Sequence, residues 1–482
     1  MVRQADRRLF LLGGVAVIWV VVQFVLTFHV ALGWDETTYL SQYAGDVPPG
    51  VFSAPRARGL PLIVAPIVAF TTSVPAIRVY LTVLSGVGLF VAFLPWLRVR
   101  AGYVVPLAAA LFASVWVALF YGNEAMPDMF VAYAAVAAVG LFVLAVRPGP
   151  QTGAVAGLLV AVTVCALVRP SDALWVAAPL VVAGLVVRAW RRPAAVLAVV
   201  GGVVAGWAEW FAEAYAYYGG PLARLRAAGA ENQTGLHFSL WQHVTALSQA
   251  QILCRPACHP ASPVVAVWFF AIPVVAVAGC VLARRSRQFA PLVLAAATAA
   301  VFTASYVFGV GYAAPRFLLP AYALASLPVA EAVAQLLGGV RTRARPVLAG
   351  VVLIGAIAHV GVQVHWMDAV LHKQIPPRDA TARVGAKLAR LGVVPPCLVY
   401  GHDAAQAGFY AHCAEWSTKH AYGGARPPTR LRVALAQHRH VVVVVRQRAL
   451  PAPYLVHWRR VALTGVGKAD WYAYLPAATT RR

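Results

Sequence analysis

The sequence predicts a polytopic α-helical membrane protein of about eleven spans, with a small basic α/β domain after them. Three observations lead there. Hydrophobic residues make up 61% of the 482 and charged residues only 12%, whereas a soluble domain carries roughly a quarter charged. The apolar residues come in blocks long enough to cross a bilayer, which takes about 20 residues as helix. After Trp366 the composition turns, with 17 Lys+Arg against five acids, and half of the net charge of +24 lies there.

Residues 9–32 form the first block, flanked by Arg3, Arg7 and Arg8. It exceeds the apolar core of a signal peptide and has no cleavage site, so it reads as a retained helix. Further blocks cover about 74–97, 103–121, 129–146, 153–168, 173–187, 193–211, 263–283, 289–310, 317–340 and 347–364. Arginines mark every second connection: Arg98/Arg100, Arg147, Arg188/Arg191/Arg192, Arg284/Arg285/Arg287 and Arg341/Arg343/Arg345. Cytoplasmic loops hold the excess of Lys and Arg, so these connections and the N-terminus are expected inside the cytoplasmic membrane. An odd number of spans then puts the C-terminus outside. Of eleven acids before the tail, all but Asp6 and Glu331 fall in or beside connections expected outside. Orientation does not require that arrangement, because acids contribute little to it.

The expected organisation is a transmembrane part, residues 1–365, with a functional first external loop at about 33–73, and an extracytoplasmic domain, residues 366–482. Trp34-Asp35-Glu36 follows directly on the first span, and the loop continues through Pro55-Arg56-Ala57-Arg58-Gly59-Leu60-Pro61. The apolar run 60–70 is too short to span and is expected to lie in the interface or re-enter. Carboxylates and arginines pinned to the bilayer suit a substrate that is half lipid and half polar. The competing reading is that Asp35 and Glu36 only cap a surface helix, since acids favour a helix N-terminus. Glu124 and Asp128 form a second outer acidic cluster, and capping by Asp128 stays open there too, with Pro127 beside it. Arg169 and Arg316 sit at outer helix ends, where an arginine either grips a phosphate with both arms or snorkels to lipid headgroups. No Walker loop, dinucleotide fingerprint or zinc pattern is present.

These stretches resemble the GT-C superfamily of membrane glycosyltransferases, and within it the protein O-mannosyltransferases and the bacterial lipid A aminoarabinose transferases. The likeness rests on the acid pair after the first span and the basic, proline-containing loop. It also rests on Leu167-Val168-Arg169-Pro170-Ser171-Asp172, on Trp210-Phe211-Ala212-Glu213 and on Pro315-Arg316-Phe317. It covers about the first 340 residues, and the first loop has Arg58-Gly59-Leu60-Pro61 where the family has lysine-proline-proline. Membership implies inverting transfer of a sugar from a polyprenyl-phosphate donor to an acceptor outside the membrane. Asp35 would be the general base, with Glu36 beside it. Arg56, Arg58, Arg169 and Arg316 would meet the donor phosphate, and Glu124 and Asp128 would orient the acceptor or hold a divalent cation. Sugar, acceptor and metal dependence stay open, and no nucleic-acid partner is expected.

In the tail, helix-like 381–391, strand-like 397–400, helix-like 403–413, strand-like 440–445 and strand-like 471–475 suggest a small α/β unit. Its charge would meet phospholipid headgroups or an anionic envelope polymer, or serve solubility alone. Cys165 and Cys280 fall in spans, whereas Cys254, Cys258, Cys397 and Cys413 fall outside. An oxidising compartment permits the local disulfides Cys254–Cys258 and Cys397–Cys413. A transporter or flippase is the alternative from another class. It would need ionisable residues near the midplane, and Glu331 is the clearest one in a span.

Overall fold

The structure is a computed structural model and describes residues 2–248, 251–255, 258, 262–338, 345–417, 427–437, 439–446 and 452–476. Among them, eight helices are long and apolar enough to cross a membrane. Two further predicted spans are the 17-residue helices Thr152–Val168 and Pro170–Val186. They are separate helices because Arg169 precedes a proline, which pushes it out of the helical region, and its backbone is extended. The block expected at 103–121 is broken into Val104–Ala113 and Trp116–Tyr121. The break exposes backbone groups that apolar surroundings would leave unsatisfied. Gln363 answers one of them, its Oε1 accepting from the Trp116 N–H at 2.9 Å. Ser114 at the break lies 2.9 Å from His359 Nε2.

The chain divides into two compact units. The first comprises Met1–Thr27, Ala54–Leu60 and Leu81–Val370. Its centre is formed by helices Pro127–Ala145, with nearly all side chains buried, and Leu319–Gly338, buried through most of its first fourteen residues. Peripheral helices such as Pro193–Tyr217 and Pro263–Leu282 leave Leu197, Val204, Val267 and Val274 exposed, as lipid-facing side chains should be. Helix Pro193–Tyr217 packs on Thr152–Val168 through Gly202 and Gly206, spaced as in the small-residue motif that lets membrane helices approach closely. A Cβ on Gly206 would stand 2.6 Å from the Thr163 carbonyl oxygen.

Glu331 is not an isolated midplane charge. It accepts from Arg100 Nε at 2.7 Å, Ser286 Oγ at 2.9 Å and Gln335 Nε2 at 2.7 Å. Arg100 and Ser286 both belong to connections between spans, so Glu331 is tied to one end of its helix.

The second unit comprises Phe28–Ser53, Pro61–Tyr80 and Leu371–Arg482. It holds the short helix Trp34–Leu40 of the loop after the first span and a five-stranded sheet of order β2-β1-β3-β5-β4. The strands are β1 (Cys397–Gly401), β2 (Ala414–Ser417), β3 (His440–Arg446), β4 (Arg459–Ala462) and β5 (Trp471–Leu475). β1 pairs in parallel with β2 and β3, while β5 pairs antiparallel with β3 and β4. The run of five valines in β3 is buried on both faces, as a central strand requires. Val442 and Val444 pack with Val384 and Leu388, and Val441, Val443 and Val445 with Leu431 and Ala434. The helix expected at 381–391 is the end of a 46-residue helix, Arg345–Arg390, which passes the expected boundary at 366 unbroken.

Candidate functional site

In the loop after the first span, the acids of the pair have opposite surroundings. The chain turns at Gly33 into helix Trp34–Leu40, with both acids in its first turn. Glu36 is 1% exposed, and its Oε2 accepts from the Gly33 N–H at 2.8 Å. Arg78, itself fully buried, clamps it bidentately at 2.6 and 2.9 Å, the strongest geometry for such a pair. Arg78 also donates to the Val30 carbonyl at 3.1 Å. Arg378 reaches the Ala31 carbonyl at 3.3 Å and Glu36 at 3.5 Å. Burial alone would raise the Glu36 carboxyl, but Arg78 and Arg378 together hold it below the usual carboxylate range. The loop backbone is fastened once more where Leu32 donates to the Tyr410 hydroxyl at 2.8 Å. Asp35, one residue earlier, is half-buried, beside the exposed Trp34. Glu36 is thus spent on structure, and Asp35 is the carboxylate of the pair that solvent reaches.

In the other unit, Asp128, Asp172, Arg169 and Arg316 form a second assembly. Asp128 stands in the first turn of helix Pro127–Ala145, two residues after the N-cap position Met126. Its Oδ1 accepts from Arg169, while Oδ2 lies 3.3 Å from Arg316 Nε as an ion pair without a hydrogen bond. Arg169 also meets Asp172 at 3.2 Å, and Tyr306 donates to Asp172 at 2.6 Å. Phe317 lies against both guanidiniums, 5.0 Å from Arg169 and 5.3 Å from Arg316. Both acids are buried, at 1% and 2%, while the arginines keep 18% and 15% of their side-chain surface. Glu124 is buried in the turn before them. Among the described residues no three His, Cys, Asp or Glu side chains gather as metal ligands.

The basic loop is held within the same unit. Arg224 is fully buried and donates to the carbonyls of Ala54 (3.1 Å), Arg56 (2.8 Å) and Trp210 (2.7 Å), and to Glu213 at 3.0 Å. Arg58 shares Glu213, at 2.6 Å, and Arg56 is half-buried. Gly59 explains the departure from lysine-proline-proline. A Cβ there would lie 2.4 Å from the Leu167 carbonyl oxygen and 2.6 Å from the Val168 nitrogen. That backbone contact has Arg58 on one side and Arg169 on the other. Both expected disulfides are present, Cys254–Cys258 and Cys397–Cys413.

No family model matches the sequence, and no curated protein matches it. Solved structures do match. ArnT from Cupriavidus metallidurans bound to undecaprenyl phosphate superposes with a TM-score of 0.65 at 14% identity, over 95% of this chain and 97% of that one. The chain has the GT-C fold. ArnT in the apo state gives 0.62 at 14% identity with the same coverage. AglB, an oligosaccharyltransferase of Archaeoglobus fulgidus in complex with an inhibitory peptide and a dolichol-phosphate, gives 0.56 at 14% identity, over 98% of this chain and 75% of that one. The GT-C likeness therefore extends beyond the first 340 residues into the C-terminal domain.

Sequence reading missed Arg78, Arg224, Arg378 and Tyr306. Arg78 carried a usable signal, because an arginine in the apolar stretch Val74–Phe93 needs a partner. The others are ordinary in their local sequence, and their partners lie far along the chain.

Proposed function

We propose that this protein transfers a sugar from a polyprenyl-phosphate donor to an acceptor at the outer face of the cytoplasmic membrane. The observation that carries the reading is the division of labour between Glu36, locked inside by two arginines, and Asp35, half-buried in the first turn of the same helix. A base must be both positioned and accessible. The ArnT structure with undecaprenyl phosphate and the AglB structure with dolichol-phosphate support a lipid-phosphate donor.

In this reading Asp35 takes the proton of the acceptor hydroxyl as its oxygen attacks the anomeric carbon from the face opposite the phosphate. The C–O bond to phosphate breaks with inversion, and its electron pair leaves with the polyprenyl phosphate. That leaving group needs positive charge more than a proton, which Arg56, Arg58, Arg169 and Arg316 supply. Arg169 and Arg316 keep 18% and 15% of their side-chain surface exposed, which leaves them within reach of a phosphate. Asp128 acts through Arg169 and Arg316 by setting their orientation, and Glu124 orients the acceptor.

Purified protein given a radiolabelled polyprenyl-phosphate sugar and a membrane-envelope extract should move label to a new product. Failure to do so across donors of several sugars would overturn the reading. Reporter fusions check the orientation: activity outside the membrane after Arg482, inside after Arg285.

A further inference from the structure

The C-terminal unit contains a cavity of about 1030 Å³ that the transfer reaction does not use. It is lined by Pro376, Pro377, Ala380 and Ala469, by Trp471, and by the polar groups of Arg383, His402, Arg446 and Lys468. Its place in the sheet is informative. β1 is flanked in parallel by β2 on one side and β3 on the other, so the chain leaves β1 in one direction and returns on the opposite one. Ligands of open α/β sheets bind outside the carboxyl ends of the strands at such a reversal. His402 follows the last residue of β1 and donates its backbone N–H to Val444 of β3 at 3.1 Å. Arg446 is the last residue of β3, in register with Trp471 and 5.3 Å from its ring. The cavity therefore opens where that rule expects a ligand.

The lining has three permanent cations, Arg383, Arg446 and Lys468, and no carboxylate among the described lining residues. Arg383 is braced by the Val466 carbonyl at 3.1 Å, which holds its guanidinium on the rim. Asp403, next to His402, is held in the left-handed region at φ 47°. Burial moves His402 below its usual range, so near neutral pH it offers a neutral ring beside the cations. A lone inorganic ion would fill a small part of this volume, whose size is that of a site for a sizeable organic ligand. The prolines, Ala380 and Ala469 give one wall that is apolar, suited to the C–H face of a sugar.

We propose that this cavity binds a phosphorylated saccharide, the phosphate held by Arg383, Arg446 and Lys468 and the sugar against the Pro376–Pro377 wall. The proposal does not depend on the glycosyl-transfer reading, and its test involves no transfer. Full-length protein in detergent is titrated calorimetrically with glucose 6-phosphate, inorganic phosphate and glucose. Glucose 6-phosphate should bind saturably, at least about tenfold tighter than either other probe. Arg446→Gln and Lys468→Gln should each weaken it about tenfold, the cost of one charged hydrogen bond. Arg459→Gln, on edge strand β4 and outside the lining, should leave it unchanged. Three results would overturn the proposal: no saturable binding, equal loss in Arg459→Gln, or inorganic phosphate binding as tightly as the sugar phosphate. The last would leave a plain anion site.

Discussion

Around Glu36 one carboxylate faces two guanidiniums, whereas around Asp128 and Asp172 two carboxylates face two guanidiniums. The first group is sealed: Glu36 and Arg78 have essentially no exposed surface, and Arg378 has 6%. In the second the acids are sealed but the arginines are not. Burial thus decides what each group can do. The sealed group fixes a loop and leaves its neighbour Asp35 accessible. The half-open group fixes three helix ends and keeps guanidinium donors at its surface. An acid–arginine pair is a brace or a binding element according to which partner water can reach.

The largest structural effect should come from breaking the sealed group. Glu36→Gln leaves two buried guanidiniums without their counter-charge, and stripping one partner from a buried pair costs about 3 kcal/mol or more. Thermal unfolding in detergent should show the loss, and an unchanged midpoint would mean that Glu36 is no brace. The same pair sets a pH dependence. Because the folded carboxyl lies below its usual range, its stabilisation is complete above that range. It is lost as pH falls through the folded value, so Glu36→Gln should flatten the acid limb of the stability curve.

Gly59→Ala comes next. The new methyl would meet the Leu167 carbonyl at 2.4 Å, and overpacking of this kind costs about 2 kcal/mol. The basic loop would lift from the helix, lowering stability and transfer together. Retained activity would detach Arg58 from the site.

Arg316→Gln should cost least in stability, because Arg169 still serves both acids. Its effect belongs to donor binding, where losing one charged hydrogen bond of about 1.5 kcal/mol raises the donor KM roughly tenfold. A large fall in unfolding temperature with an unchanged KM would make the second assembly a brace like the first.

The sequence was most legible where one physical signal acts alone. Long apolar blocks located the spans, and β5 and the start of β3 fall where their β-branched and aromatic runs predict. Strands β2 and β4 were not legible: four residues each, at the sheet edges, without a repeating in–out pattern. The break at Ser114–Val115 was hidden because its compensation, Gln363, lies 247 residues away. The acids of the site were legible as residues but not as roles. Asp35 and Glu36 look alike in sequence, and only Arg78 and Arg378 separate them. Likewise Asp128 reads as a cap or cation ligand, and its ion pairs with Arg169 and Arg316 come from distant parts of the chain.

Asp35 removes the acceptor's proton in this reading, and Asp35→Asn isolates that role. Asparagine keeps the size and is itself a good helix cap, so a merely structural role predicts a near-normal enzyme. Loss of a general base lowers the rate by about two to four orders of magnitude. Sugar transfer from a labelled polyprenyl-phosphate donor should therefore fall at least about a hundredfold, with expression, unfolding temperature and donor binding close to those of the unaltered protein. Transfer at the unaltered rate would contradict the account and hand the base to another carboxylate, Glu124 first.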